Sequence, residues 1–307
     1  MKRKLIKQGG GGFTIYLPKK WADSKGLKSG DQIDVKETGT SLIISTAVST
    51  KKEITIEITP NNKQNLRNML THLYRRGFDK ISIRNADEEA CEKIRQITKD
   101  LLLGFEITET EKTACILENI SEPTEEKYDV LVKRIYQITR ETQRVITNDF
   151  KNDKLESLKT IEEFKAQQDK FVLFCKRIIA KEKHETKYPL TDWELLTLLM
   201  HIEHAYYYLY VYAVKNKVKS SKRINELLGN LEEYLQYHYD AYYKKDINAI
   251  HKINELKQKY QFGKCYEYIE QAKGKEAVIL AHIRELFRLI QIGISPVLSE
   301  YLDDLLG

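Results

Sequence analysis

The chain has 307 residues, more than one ordinary domain needs, so two or three domains are expected. Its composition is globular, with 41% hydrophobic and 31% charged residues and a formal net charge of +6. No secretion signal is expected, because the basic first residues run into glycines rather than an apolar stretch. The charge is unevenly spread. Residues 1–52 hold eleven Lys and Arg against four Asp and Glu, a net +7, while the remainder holds 40 bases against 41 acids. Such concentration is the footprint of a polyanion-binding surface. The plainer reading is a solvated basic surface that aids solubility. Cys91, Cys115, Cys175 and Cys265 form no C-x-x-C pair, and are expected to be reduced and mostly buried, as suits a cytoplasmic protein. The most apolar stretch, residues 193–214, contains Glu194, His201, Glu203 and His204, so a buried helix is expected there rather than a membrane span.

In chain order, residues 1–46 read as strand, glycine loop (9–12), strand, short helix, turn, strand, hairpin turn, strand. Residues 13–17 alternate as a half-buried strand does. Pro18 is pre-shaped to open a helix, and Gly26 sits where the helix end wants a positive φ. Residues 29–31 and 38–40 carry turn chemistry. A unit this small rarely buries enough apolar surface to fold alone, and an identical chain is the simplest partner.

Residues 53–58 alternate as a strand, and Pro60 and Asn61 open a helix ending near Gly77. A strand over 80–84 and a helix from Asp87 to about Leu103 follow, then a hairpin of 104–107 and 113–117 around 109–112. The order β-α-β-α-β-β predicts a small sheet with helices on one face. Arg75 and Arg76 fall at a helix C-terminus, where the macrodipole favours cations. From Pro123 onward apolar residues recur every three or four positions. Six long helices are expected, with breaks near 152–153, 184–189, 217–221, 245–246 and 273–274. Short connections make an antiparallel bundle, readable as two three-helix units over 123–216 and 220–306. The whole is thus an α+β chain with domains at 1–50, 53–120 and 123–307.

The segment GGGGFTIYLPKKWADSKGLKSGDQIDV, followed by TSLIIS, resembles the AbrB/MazE-type (SpoVT-AbrB) swapped-hairpin DNA-binding family. Leu17, Pro18, Lys19, Trp21, Leu27, Gly30, Asp31 and Val35 match its pattern. The resemblance implies that two chains interleave hairpins into one β-barrel and that basic residues of both meet DNA. The helical part is similar to PhoU, the phosphate-uptake regulators, and the order of parts resembles archaeal fusions of the two families. PhoU-like chains carry an acidic motif on the second bundle helix and an ERIxDHA-like run on the third. Here Asp169 falls on the last acid of the first motif, while Ala166 and Gln167 stand at earlier acidic positions. Glu203-His204-Ala205 matches the end of the second motif, with Leu199 and Met200 in place of its Glu and Arg. In the last helix Ser295 stands at an acidic position, and Pro296 should kink the helix. Too few carboxylates remain to carry the family's metal cluster over.

Other constellations are weaker. His201 and His204, one turn apart beside Glu203, could share a metal, but no third ligand is identifiable, and buried structural histidines are the preferred reading. Glu203 is expected to pair with a neighbouring base. The tyrosines at 206, 207, 208, 210, 212, 234, 237, 239, 242 and 243 could form a base-stacking surface, but they wrap around helices and read better as core or a partner groove. Residues 9–12 lack the G-K-[ST] of a phosphate loop. No nucleophile has a base at a recognisable spacing, so no enzyme is expected. No cofactor is expected either, nor any metal, with Asp169, His201, Glu203 and His204 as the weak ligand candidates. The expected partners are DNA, a second copy through residues 1–50, and a protein docking on the bundle, with no membrane. The DNA contacts are expected from Arg3, Lys4, Lys7, Lys19 and Lys20, with Arg3 best suited to bidentate guanine recognition. The function implied is a transcriptional regulator linked to phosphate uptake. The alternative is an adaptor that uses its barrel only to dimerise and binds a transporter or kinase component.

Overall fold

The computed structural model describes residues 3–38, 41–46, 51–111, 113–121, 126–181 and 188–306. The fold is α+β, and the chain divides into two compact units, Met1–Lys51 and Lys52–Gly307.

Among the described residues the first unit holds two antiparallel pairs. Strands β1 (Ile6–Gln8) and β2 (Gly12–Thr14) pair across the glycine loop, where Gly9 and Gly11 take positive φ. The second strand is shorter than its alternation suggests and stops before Ile15. Pro18 caps the short helix α1 (Lys19–Ser24), and Gly26 ends it at φ +67°. Gly30 is also left-handed, and Asp31 Oδ2 accepts the Lys28 N–H at 2.7 Å, which closes the turn. Strands β3 (Ile33–Thr38) and β4 (Ser41–Thr46) pair from Ile33↔Thr46 to Thr38↔Ser41. Gly39 and Thr40, where the hairpin turn is expected, lie outside the described residues.

The second unit begins with the expected β-α-β-α-β-β order. The strands are β5 (Glu53–Glu57), β6 (Lys80–Arg84), β7 (Phe105–Glu111) and β8 (Ala114–Asn119), in sheet order β5-β6-β8-β7 with only β5 and β6 parallel. Helices α2 (Leu66–Arg75, entered through a 3-10 turn) and α3 (Glu88–Leu101) are the two helices of this order. Asp87 caps α3 by accepting the Ala90 N–H at 2.9 Å. Period-two alternation buries Ile81, Ile83, Cys115 and Leu117 and leaves Glu53, Thr55 and Glu57 exposed.

Among the described residues six long helical segments follow: α4 (Glu126–Lys151), α5 (Leu158–Ala180), α6 (Pro189–Asn216), α7 (Lys222–Tyr243), α8 (Ile247–Lys259) continued through one π turn into α9 (Cys265–Gln271), and α10 (Lys275–Ile292) with α11 (Ile294–Leu306). The breaks near 152–153, 217–221, 245–246 and 273–274 fall where the sequence places them, while most of the expected break at 184–189 lies outside the described residues. Pro189 opens α6, Lys217 ends it in the left-handed region, and Ser221 and Asp246 cap α7 and α8. The last segment breaks at Gly293, because the ring of Pro296 cannot accommodate the carbonyl of Ile292, four residues earlier. Helix α6 is central, packed on α4, α5, α10 and α11, while α4 and α7 join the two three-helix sets. This explains its apolar surround. No helix among the described residues is long and apolar enough to cross a membrane.

The small sheet region and the helical region share one core, since α5 packs on both α2 and α3. A buried charge cluster ties them. Arg177 of α5 is fully buried and donates to the carbonyls of Tyr74 (3.0 Å) and Phe78 (2.6 Å) and to Asp79 Oδ1 (2.6 Å). Lys181 reaches the same carboxylate. Burial alone would raise the Asp79 carboxyl. Bonds from Lys181 and the Lys52 N–H, with the charges of Lys181 and Arg177, outweigh it and hold Asp79 below the usual carboxylate value.

Candidate functional site

Arg3 and Lys4 precede β1, Lys7 lies on it, and Lys19 and Lys20 open α1; all five are exposed. Among the described residues none of the five is in an ion pair, so their charges are free to meet an external anion. Within one chain they fall into two groups, one along the first hairpin and one at the start of α1.

The apolar residues of the same unit are uncovered. No described residue of 3–46 is buried, and Leu5, Phe13, Tyr16 and Leu42 each leave about two thirds of their surface in water. Burying side chains of this kind is worth about 1.5–3 kcal/mol each, so leaving this many exposed is costly. Ordering some 45 residues costs more than an unburied chain returns. The described residues of this unit thus combine unpaired surface cations with uncovered apolar side chains.

In the second unit the weak metal candidates part company. Asp169 is buried and accepts from His204 Nε2 at 2.6 Å, Lys165 Nζ at 2.8 Å and Arg67 Nη2 at 3.3 Å. Burial would raise its carboxyl, but His204 and Lys165 outweigh this and lower it. Glu203 faces the other way, into the α4 contact, where the Thr142 hydroxyl donates to it at 2.6 Å. Among the described residues no base pairs with it. Burial pushes its carboxyl up to about 7, opposed by the Thr142 and Thr139 hydroxyls. The reading of His201 and His204 as buried is also corrected: His201 is exposed and His204 half-buried, because both line an open cleft between α6 and α10. The two rings stand 6.5 Å apart, edge to face. Among the described residues no three His, Cys, Asp or Glu side chains converge to hold a metal.

The tyrosines divide. Tyr206, Tyr210 and Tyr234 are fully buried, Tyr239, Tyr242 and Tyr243 pack around Tyr136, and Tyr208 stays 55% exposed. Cys115, Cys175 and Cys265 are buried free thiols and Cys91 is half-buried.

Two features went unread in the sequence. One is the Arg177–Asp79 pair, which joins residues 98 positions apart. The other is a cluster of cations between α2, α5 and α6 that includes Arg67, Arg75, Lys165 and Lys176. Lys176-Arg177 inside the apolar run FVLFCKRIIA was the available signal, since two adjacent bases there cannot both reach water.

No family model, curated protein or solved structure matches the chain.

Proposed function

We propose that the protein is a DNA-binding regulator that acts as a dimer through its first unit, with the helical unit receiving a signal. The observation that supports this best is the pairing, within one small unit, of a net +6 with apolar residues that no described residue of that unit buries. A second copy is the simplest cover. The swapped-hairpin barrel that the sequence resembles would bury Leu5, Phe13, Val35 and Leu42 and bring two sets of Arg3, Lys4, Lys7, Lys19 and Lys20 onto one surface. The link to phosphate uptake rests on the resemblance of the helical part to PhoU. In this reading the protein is a cytoplasmic regulator and not an enzyme.

About eight lysines and arginines per dimer on phosphates give a slope of roughly −7 in log affinity against log salt. A slope near zero would sink the polyanion reading. Lys19→Glu with Lys20→Glu should abolish DNA binding and leave the dimer intact. Retained DNA affinity would favour the adaptor, which dimerises through residues 1–50 and binds a transporter or kinase component. Deleting residues 1–50 should leave a folded helical protein without its main self-association. An isolated 1–50 fragment that is folded and monomeric at micromolar concentration would contradict the barrel.

A further inference from the structure

A cleft of about 540 Å³ opens between α2, α5 and α6, within the second unit. Its wall carries three permanent cations, Arg67, Arg75 and Lys165, and two imidazoles, His72 and His204, against a single carboxylate, Asp169. That carboxylate is already met by His204, Lys165 and Arg67. It therefore neutralises one charge and leaves the rest in excess.

Arg67 stands at the exposed rim of the cleft, but the excess continues into a drier wall. Arg75 is half-buried, with its guanidinium 6.0 Å from the Trp193 ring centre and Nη2 2.9 Å from the His72 ring nitrogens. It has no carboxylate partner among the described residues. Beside it Lys176 is only 1% exposed and also lacks a carboxylate among those residues. Its ammonium donates to Thr197 Oγ1 at 2.6 Å and lies 5.0 Å from the same Trp193 ring. Burial, then the charge of Arg75, pushes Lys176 down to about 8, and burial with the charges of Arg75, Arg76 and Lys176 lowers His72. Like charges gathered in a partly dry wall repel one another, and an anion would relieve them.

We propose that this cleft is a binding site for a phosphate-bearing small molecule, with Arg67 and Arg75 as its principal ligands. Two guanidinium groups offer planar forks that match phosphate oxygens. Asp169 holds Arg67, Lys165 and His204 in place and offsets one of their charges. The volume lies within the range of small-molecule sites and exceeds the need of a bare ion. Leu101, Leu173, Met200, Tyr207 and Tyr208 also line it, and the two tyrosine rings stand 5.3 Å apart, so an organic portion has an apolar wall to lie on. The site does not depend on the DNA-binding reading, because all its residues belong to the second unit.

The test is calorimetric titration of the full chain carrying Lys19→Glu and Lys20→Glu, which removes competing anion binding by the first unit. The probes are AMP, UMP, ribose 5-phosphate and inorganic phosphate, with adenosine as the uncharged comparison. At least one phosphate-bearing probe should bind at sub-millimolar concentration and adenosine at least tenfold more weakly. The best probe separates an organic phosphate from the free ion. Arg67→Gln with Arg75→Gln should weaken binding by at least tenfold with an unchanged far-ultraviolet dichroism spectrum. Lys176→Met, which keeps the packing on Trp193, should weaken it less. Failure of every phosphate probe to bind below millimolar would overturn the site. So would binding that survives the double arginine change, or that adenosine matches.

Discussion

Asp79→Ala removes the carboxylate on which the joint between sheet and helices depends. Arg177 is then left fully buried with only the carbonyls of Tyr74 and Phe78 as acceptors and no carboxylate among the described residues. Breaking a buried pair from one side costs about 3–5 kcal/mol, because the surviving charge stays desolvated. Loss of the acceptor for the Lys52 N–H, now at 3.1 Å from Asp79 Oδ2, adds about 1 kcal/mol. At roughly 2–4 °C per kcal/mol for a domain of this size, the melting point should fall by about 8–24 °C. Urea unfolding followed by far-ultraviolet dichroism at pH 7 measures the loss directly. Asp79→Ala with Arg177→Met should recover more than half of it, since an apolar side chain in place of the orphaned cation removes the penalty. The pH dependence has a definite sign. Asp79 is lowered in the fold, so its contribution is complete above the ordinary carboxylate pKa of about 3.9. It disappears only as pH falls through the lower folded value. A loss below about 1 kcal/mol at pH 7, or a double variant no better than Asp79→Ala, would refute the reasoning.

Glu203 carries the opposite sign. Its carboxyl is raised to about 7, so the fold prefers it protonated, and that preference is lost as pH rises from about 4.5 through 7. Glu203→Gln should match the natural protein near pH 4.5 and exceed it at pH 8 by on the order of 2–3 kcal/mol, at about 1.4 kcal/mol per unit; parallel stability profiles would contradict this. Gly104→Ala should destabilise by roughly 2–4 kcal/mol in urea unfolding, because φ is +83° and an added Cβ would lie 2.7 Å from the Ser121 carbonyl oxygen. A chelator should leave the melting point of the helical unit unchanged, with under one iron, zinc or magnesium per chain by elemental analysis. Asp169 is already met by three donors, and Glu203 is turned away from His204. A melting point several degrees lower in chelator would return Asp169, His201, Glu203 and His204 to first rank as ligands.

Local chemistry was enough for the order of elements. Gly26, Gly77 and Gly104 mark positive φ, Asp87, Ser221 and Asp246 cap helices, and Pro189 opens one, because each acts within a few residues of its own position. The charge asymmetry of residues 1–52 was likewise legible, since composition needs no geometry. Side-chain direction on α6 was not. His201, Glu203 and His204 are near neighbours in sequence, yet one is exposed, one fully buried and one faces a carboxylate, because α6 is apolar all round and its pattern names no outward face. The contacts that build the cleft span long separations: Arg67 meets Asp169 across 102 positions, and His204 meets it across 35. Spacing along a chain carries no information about such pairs. Only the packing of α2 and α6 against α5 decides which cations share a wall, and only burial decides which of them lack a counter-charge.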